Sequence, residues 1–246
     1  RHADLAMYRA KDGGRDRMAW FDQDMTRIAN TRLALENELR HALHRGQFEL
    51  HYQPVVDIRS NEVVGAEALL RWNRPGHDQV PPTVFIPICE ECGLMDAIGD
   101  WVLLEAARQQ VRWAELGCNL RVAVNLSVMQ FNSPVLLETC RQVLEETGCE
   151  PGKLELEVTE SMLLGNDERT LATLDGLRAL GFRLAIDDFG TGYSNLAYLQ
   201  RYPFSSLKID RSFIAALDSG TPIAELVISL CHLLGMDIVA EGVESQ

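Results

Sequence analysis

Arg183–Leu199 reads RLAIDDFGTGYSNLAYL, a short apolar strand pattern that ends in the paired carboxylates Asp187 and Asp188 and meets a glycine-bearing turn. Leu184 and Ile186 alternate with Arg183, Ala185 and Asp187, the period of a strand whose two faces differ. The Asp-Asp pair alone has two readings: solvated turn residues, or a divalent-cation site beside a loop that moves. The choice depends on whether other strands deliver ligands to the same place.

Around this stretch, strand and helix patterns alternate. Arg121–Leu126, Leu154–Thr159, Ser206–Asp210 and Asp237–Glu241 read as further strands. Trp101–Leu116, Val135–Glu146, Arg169–Leu180 and Ile223–Leu234 are long enough to be crossover helices. Upstream, FELHYQPVVDI from Phe48, a turn at Arg59-Ser60-Asn61 and EVVGAEALLRW predict a β-hairpin. Repeated βα units point to a parallel sheet, closed or open.

In a βα barrel the outward face of each strand must be apolar to meet the helices. Applying that rule sends Val122, Val124, Leu154, Leu156, Val158, Leu184, Ile186, Leu207 and Ile209 outward. The inward residues nearest the strand C-termini are then Glu67, Asn125, Glu157, Asp187, Lys208 and Glu241. Carboxylates and an amide converging on one rim repel one another unless cations lie among them. The ligands are hard oxygens with no Cys or His cluster nearby, which favours Mg²⁺ or Mn²⁺ over zinc. Asp187 and Asp188 can both reach such ions only if the strand ends between them. Lys208 has an alternative role in neutralising Glu155 or Asp210, and Glu155 with Arg121 or Arg183 can form a buried structural pair lower in the barrel.

Composition sets outer bounds. The 246 residues, 46% hydrophobic and 24% charged, suit a globular α/β protein with a sizeable core. A net charge of −13 disfavours general affinity for nucleic-acid polymers, although metal ions would still let an acidic site handle a phosphate compound. There is no apolar run of membrane-spanning length and no signal-peptide pattern, so a cytoplasmic protein is expected, with anchoring left to upstream domains of a longer parent. Cys89 and Cys92 form a C-x-x-C inside the apolar helix pattern FIPICEECGL. Reduced, partly buried thiols are expected there rather than a zinc or redox site.

The ordered motifs YQP, Glu67-Ala68-Leu69 with Leu70-Arg71-Trp72, FIPICEECGL, VNLS, ELEVTE, IDDFGTGYSNL, LKID and AEGVE resemble the EAL domain of cyclic-di-GMP phosphodiesterases. The match runs from about Phe48 to the last residue. It implies a metal-dependent hydrolysis of cyclic-di-GMP to linear pGpG on a modified (β/α)₈ TIM-like barrel with an antiparallel first strand. By motif position, Glu67, Asn125, Glu157 and Asp187 would hold the first Mg²⁺ or Mn²⁺. Asp187 and Asp188 would hold the second, supported by Glu241. Lys208 would orient or activate the attacking water, and Gln53 and Arg71 would contact the nucleotide and its phosphate. Without the family, Gln53 can equally bond sheet edges and Arg71 can pair with an acidic neighbour. Glu160 matches a residue that ties down the loop after Asp188, and Glu244 has a supporting place in the last motif. The resemblance also implies a homodimer through that loop and the adjacent helix. The alternative is a catalytically inactive cyclic-di-GMP-binding sensor or dimerisation module.

At the other end, ADLAMYRAKDGGRDR resembles the closing helix and strand of GGDEF domains, although the cyclase signature is absent. Residues 1–21 therefore read as a GGDEF remnant, 22–46 as a linker helix with Met25, Ile28, Leu35, Leu39 and Leu43 at helical spacing, and 47–246 as the EAL domain. The chain starts without Met, which reads as a cut. It stops at Gln246, before the helix and the eighth strand with its Gln-Gly motif that continue the family pattern. The segment between Lys208 and Glu241 is also shorter than the family's, around Asp218 to Pro222.

Overall fold

A computed structural model describes residues 23–163, 168–189, 202, 204–210 and 222–242. These divide into two compact units, one from residues up to Glu49 together with Arg71–Met95, the other from Leu50–Leu70 and Asp96 onward.

The first unit begins with helix α1 (Gln23–Ala42) and contains helix α2 (Pro82–Glu91). Of the apolar stripe expected on α1, Leu35 and Leu39 are buried, whereas Ile28 is 58% exposed. Its centre is aromatic: Trp72 meets Phe85 edge-on at 5.9 Å and Phe48 at 6.4 Å, and all three rings are buried. The buried indole nitrogen donates to Gln47 Oε1 at 3.2 Å, so the Trp carries no orphaned donor. Arg74 closes the unit with a two-pronged bond to Glu38, at 2.8 and 2.7 Å. The C-x-x-C lies on α2 and its end. Cys89 is buried and Cys92 half-buried, and neither is in a disulfide.

A seven-stranded sheet, in the second unit except for residues 48–49 and 71–72, is ordered β1 (Phe48–Asp57), β2 (Glu62–Trp72), β3 (Arg121–Asn125), β4 (Leu154–Thr159), β5 (Arg183–Phe189), β6 (Ser206–Ile209) and β7 (Asp237–Ala240). Sequence order and spatial order coincide, and each pair from β2–β3 to β6–β7 is parallel. The sheet curls as part of a TIM-like barrel. Residues 58–61 alone connect β1 to its bonded neighbour β2, too short a link for a parallel crossover, so β1 runs antiparallel. The turn is set locally. Asp57 Oδ1 accepts from the backbone of Arg59 and Ser60, both at 2.8 Å, and Asn61 takes the left-handed conformation with φ 58°.

Helices α3 (Met95–Glu115), α4 (Val128–Phe131), α5 (Leu136–Thr147), α6 (Glu168–Ala179) and α7 (Pro222–Leu234) occupy the crossovers. The outward strand residues named above are all at most 3% exposed, so the barrel rule assigned both faces of β3–β6. On β7 the rule is weaker: Ile238 is half-buried and Ala240 exposed. Among the described residues β7 stands at the end of the strand order, with a strand neighbour on one side.

Several boundaries differ from the sequence reading, the linker helix among them, which ends at Ala42, and two of them bear on the site. Helix α3 starts at Met95, ahead of Trp101, and carries Gly99 within it. Strand β5 does not end between Asp187 and Asp188 but continues to Phe189. Its register against β6 shifts between Ile186 and Phe189, and Asp188 sits in the left-handed region with φ 54°. A bulge, rather than a strand end, re-aims one of the paired carboxylates.

Candidate active site

Parallel pairing stacks the inward side chains of the second unit in layers. In the lower layer Glu155 lies opposite Arg183, and Ser206 opposite Asp237. Arg183 Nε donates to Glu155 Oε2 at 3.0 Å, and the Ser206 hydroxyl donates to the same carboxylate. Arg183 and Arg121 both reach Asp237 Oδ2, at 2.8 and 3.2 Å. The alternative of Glu155 pairing with Arg183 is the one realised, which frees Lys208 for the layer above.

In that upper layer Lys208 Nζ meets four carboxylates: Glu241 at 2.8 Å, Glu157 at 2.9 Å, Glu67 at 3.1 Å and Asp187 at 3.3 Å. Its side chain is 5% exposed. An ammonium has three protons, so four oxygens at these distances must share them. Asn125 Nδ2 donates to Glu67 Oε1 at 2.7 Å, which leaves Asn125 Oδ1 as the atom able to meet a cation. The Asp188 backbone N–H donates to Asp187 Oδ1 at 2.9 Å, fixing the first carboxylate while the bulge turns the second.

Four carboxylates facing one ammonium leave an excess of negative charge. Burial, reinforced by Glu67 and Asp187 against the opposing pull of Lys208, pushes the Glu157 carboxyl well above its ordinary range. Burial likewise raises Glu241, and raises Asp188 with help from Asp187 and Asp210. Burial works against the charge on Lys208, but Glu157, Glu67 and Asp187 outweigh it and lift the amine above the usual lysine range. Protons or further cations must offset the remaining charge, and oxygen-only donors suit hard divalent ions. One oxygen from each of Asp187, Asp188 and Glu241 lies within 4.8 Å of the other two, a spacing that one ion can span.

Of the residues singled out from the sequence, Glu67, Asn125, Glu157, Asp187, Asp188, Lys208 and Glu241 are thus brought together. Gln53 is exposed on β1, and Arg71 is half-buried near the end of β2. Glu160 is buried at the start of a single 3₁₀ turn (Glu160–Leu163) directly after β4. Glu244 and the GTGYSNL loop lie outside the described residues. Sequence reasoning missed a buried group beside Asn125. Ser127 and Gln130 form a reciprocal capping box on α4, and Gly99 of α3 lies against the Gln130 carboxamide. The Ser-x-x-Gln spacing was the available signal.

Comparison with known proteins gives the family. The EAL domain profile matches residues 36–246. Over the whole chain it is 44% identical to the bifunctional diguanylate cyclase/cyclic di-GMP phosphodiesterase MucR of Pseudomonas aeruginosa and 39% identical to the cyclic di-GMP phosphodiesterase PdeR of Escherichia coli. It spans 36% and 37% of the lengths of these relatives. The structure of the MucR phosphodiesterase in complex with c-di-GMP superimposes with a TM-score of 0.82 at 44% identity, covering 87% of this chain and 88% of that one. The Xanthomonas citri FimX EAL domain in complex with c-di-GMP superimposes with a TM-score of 0.79 at 25% identity, over 90% of this chain and 87% of that one. With the profile matched over most of its length and the acidic rim built as the motifs require, the chain belongs to the EAL domain family.

Proposed function

We propose that the chain is a divalent-metal-dependent phosphodiesterase that hydrolyses cyclic-di-GMP to linear pGpG. The observation that carries this reading is the convergence of Glu67, Asn125, Glu157, Asp187, Lys208 and Glu241 on one rim. The likeness to MucR, whose structure holds c-di-GMP, supports the same substrate here.

Glu67, Asn125, Glu157 and Asp187 would hold one Mg²⁺ or Mn²⁺, and Asp187, Asp188 and Glu241 a second. When bound, such ions supply charge neutralisation at the phosphodiester and acidify a water molecule. Lys208 already stands among the ligands, and its three N–H donors would orient that water and hold developing negative charge. Gln53 and Arg71 would bind the nucleotide and its phosphate, and Glu160 and Glu244 would support the loop after Asp188.

The division into residues 1–21 as the tail of a GGDEF domain, 22–46 as a linker helix and 47–246 as the EAL domain is supported by a match to the bifunctional MucR that covers all of this chain and 36% of that protein. A homodimer through the loop after Asp188 and a cytoplasmic location complete the reading. No helix among the described residues is long and apolar enough to cross a membrane.

Incubation with cyclic-di-GMP and Mg²⁺ or Mn²⁺, followed by chromatography, should yield pGpG. Chelation and Asp187→Asn should each abolish it. Turnover that survives both would refute the mechanism.

A further inference from the structure

Asn125 is exposed at the end of β3, so core packing does not hold it. Its carboxamide bonds Glu67, and the turn that follows it in the chain is closely bonded. The Leu126 N–H continues the ladder to Glu157 O at 2.9 Å, and Ser127 then caps α4. Ser127 Oγ accepts from the Gln130 N–H at 3.1 Å, while Gln130 Oε1 accepts from the Ser127 N–H and hydroxyl, each at 3.3 Å. Ser127 is 9% exposed and Gln130 3% exposed, so these bonds are shielded from water. A Cβ on residue 99 would collide with the Gln130 carboxamide. A glycine inside α3 therefore makes room for that carboxamide, although glycine weakens a helix interior relative to alanine.

We propose that Gly99, Ser127 and Gln130 form a positioning unit for Asn125, acting through two residues of backbone to hold its amide against Glu67 in a geometry ready for a divalent cation. The proposal rests on the reading of Asn125 and Glu67 as cation ligands. In this reading the three residues act through Asn125 and are not themselves ligands. Loss of a partner bonded directly to a ligand typically lowers metal affinity by 10- to 100-fold, and this unit acts one step further out.

The test is calorimetric titration of the chain with Mn²⁺ alone, beside thermal melting. Ser127→Ala and Gln130→Ala should each weaken Mn²⁺ binding measurably, by up to about 10-fold, the lower end of the range for partners bonded directly to a ligand. Ser127→Thr, which keeps the hydroxyl, should restore it. Gly99→Ala should weaken binding in the parent chain but add nothing in a Gln130→Ala background, where the obstructing carboxamide is gone. Variants that melt earlier yet bind Mn²⁺ as tightly as the parent would overturn the proposal, as would additive effects of Gly99→Ala and Gln130→Ala. A parent chain that binds no Mn²⁺ would instead place the failure in the cation reading on which the proposal rests.

Discussion

Lys208 Nζ lies 2.9 Å from Glu157 Oε2, and the two side chains are 5% and 3% exposed. Each is the principal answer to the other's burial. An ammonium taken out of water loses several kcal/mol of solvation, and only close carboxylates return it. The Lys208→Met variant keeps the aliphatic volume and removes the charge, leaving Glu157 beside Glu67, Asp187 and Glu241 with no cation among them. Removing one partner of a buried pair typically costs about 3–5 kcal/mol. Chemical denaturation in chelator should show a loss of that order, and added Mg²⁺ should recover more stability in the variant than in the parent. A variant as stable as the parent in chelator would show that Lys208 is not the counter-charge of this site.

The second pair to consider is Asp187 and Asp188. Their adjacency is plain in the sequence, and strand phase assigned Asp187 to the inward ring. The conformation of Asp188 was not legible, because a register shift depends on the neighbouring strand and φ 54° leaves no mark in an Asp-Asp pair. Aspartate and asparagine tolerate the left-handed region and β-branched residues do not. Asp188→Asn should therefore fold with stability close to the parent while weakening divalent-cation binding. Asp188→Val should lose about 1–2 kcal/mol more, the cost of left-handed backbone for a residue with a hindered Cβ. Equal stability of the two variants in urea titrations would argue against the bulge.

Face assignment worked where helices cover the sheet. Val122, Leu154, Leu156 and Leu184 are buried because a helix must pack on an apolar strand face, and that pattern alone settles which acids point inward. The capping box at Ser127 and Gln130 had a local signal in its Ser-x-x-Gln spacing, but the packing of Gln130 on Gly99, 31 residues earlier in the chain, had none. Such contacts carry no periodic signal. Arg183 in the lower layer was only half legible: strand phase placed it beside Glu155, but its second bond, to Asp237, depends on where β6 and β7 fall in the sheet.

The thiols offer a check on the C-x-x-C reading. Cys118 is exposed, Cys92 half-buried, and Cys89, Cys140, Cys149 and Cys231 are buried. Burial pushes the Cys89 and Cys140 thiols up to about 12, with Cys92 and Asp100 respectively adding to the effect. Thiolate is the reactive form, so these two should be nearly silent at pH 8. A chromogenic disulfide reagent should label Cys118 first and Cys92 slowly, and the buried thiols only on denaturation. Rapid paired oxidation of Cys89 and Cys92 in the native protein would restore the redox reading.

The lower layer supplies a contrast between two acids that bond the same arginine. Glu155 is 8% exposed and holds Arg183 Nε at 3.0 Å together with the Ser206 hydroxyl. Asp237 receives Arg183 at 2.8 Å and Arg121 at 3.2 Å, but its side chain is 58% exposed. Water can replace the partners of Asp237, so Asp237→Ala should cost on the order of 1 kcal/mol or less. Water cannot reach Glu155 in the same way. Its removal leaves Arg183 Nε and the buried Ser206 hydroxyl short of an acceptor, although Arg183 keeps Asp237, and Glu155→Ala should cost about 1–3 kcal/mol. Salt separates them further: 1 M NaCl should erase most of the Asp237 effect, because exposed charges are screened within about 3 Å at that ionic strength, and should leave most of the Glu155 effect. Denaturant titrations of both variants at low and high salt measure the difference, and an Asp237 effect as large as that of Glu155 would mean that the ion pair at the start of β7, rather than the buried acid of β4, anchors the base of the barrel.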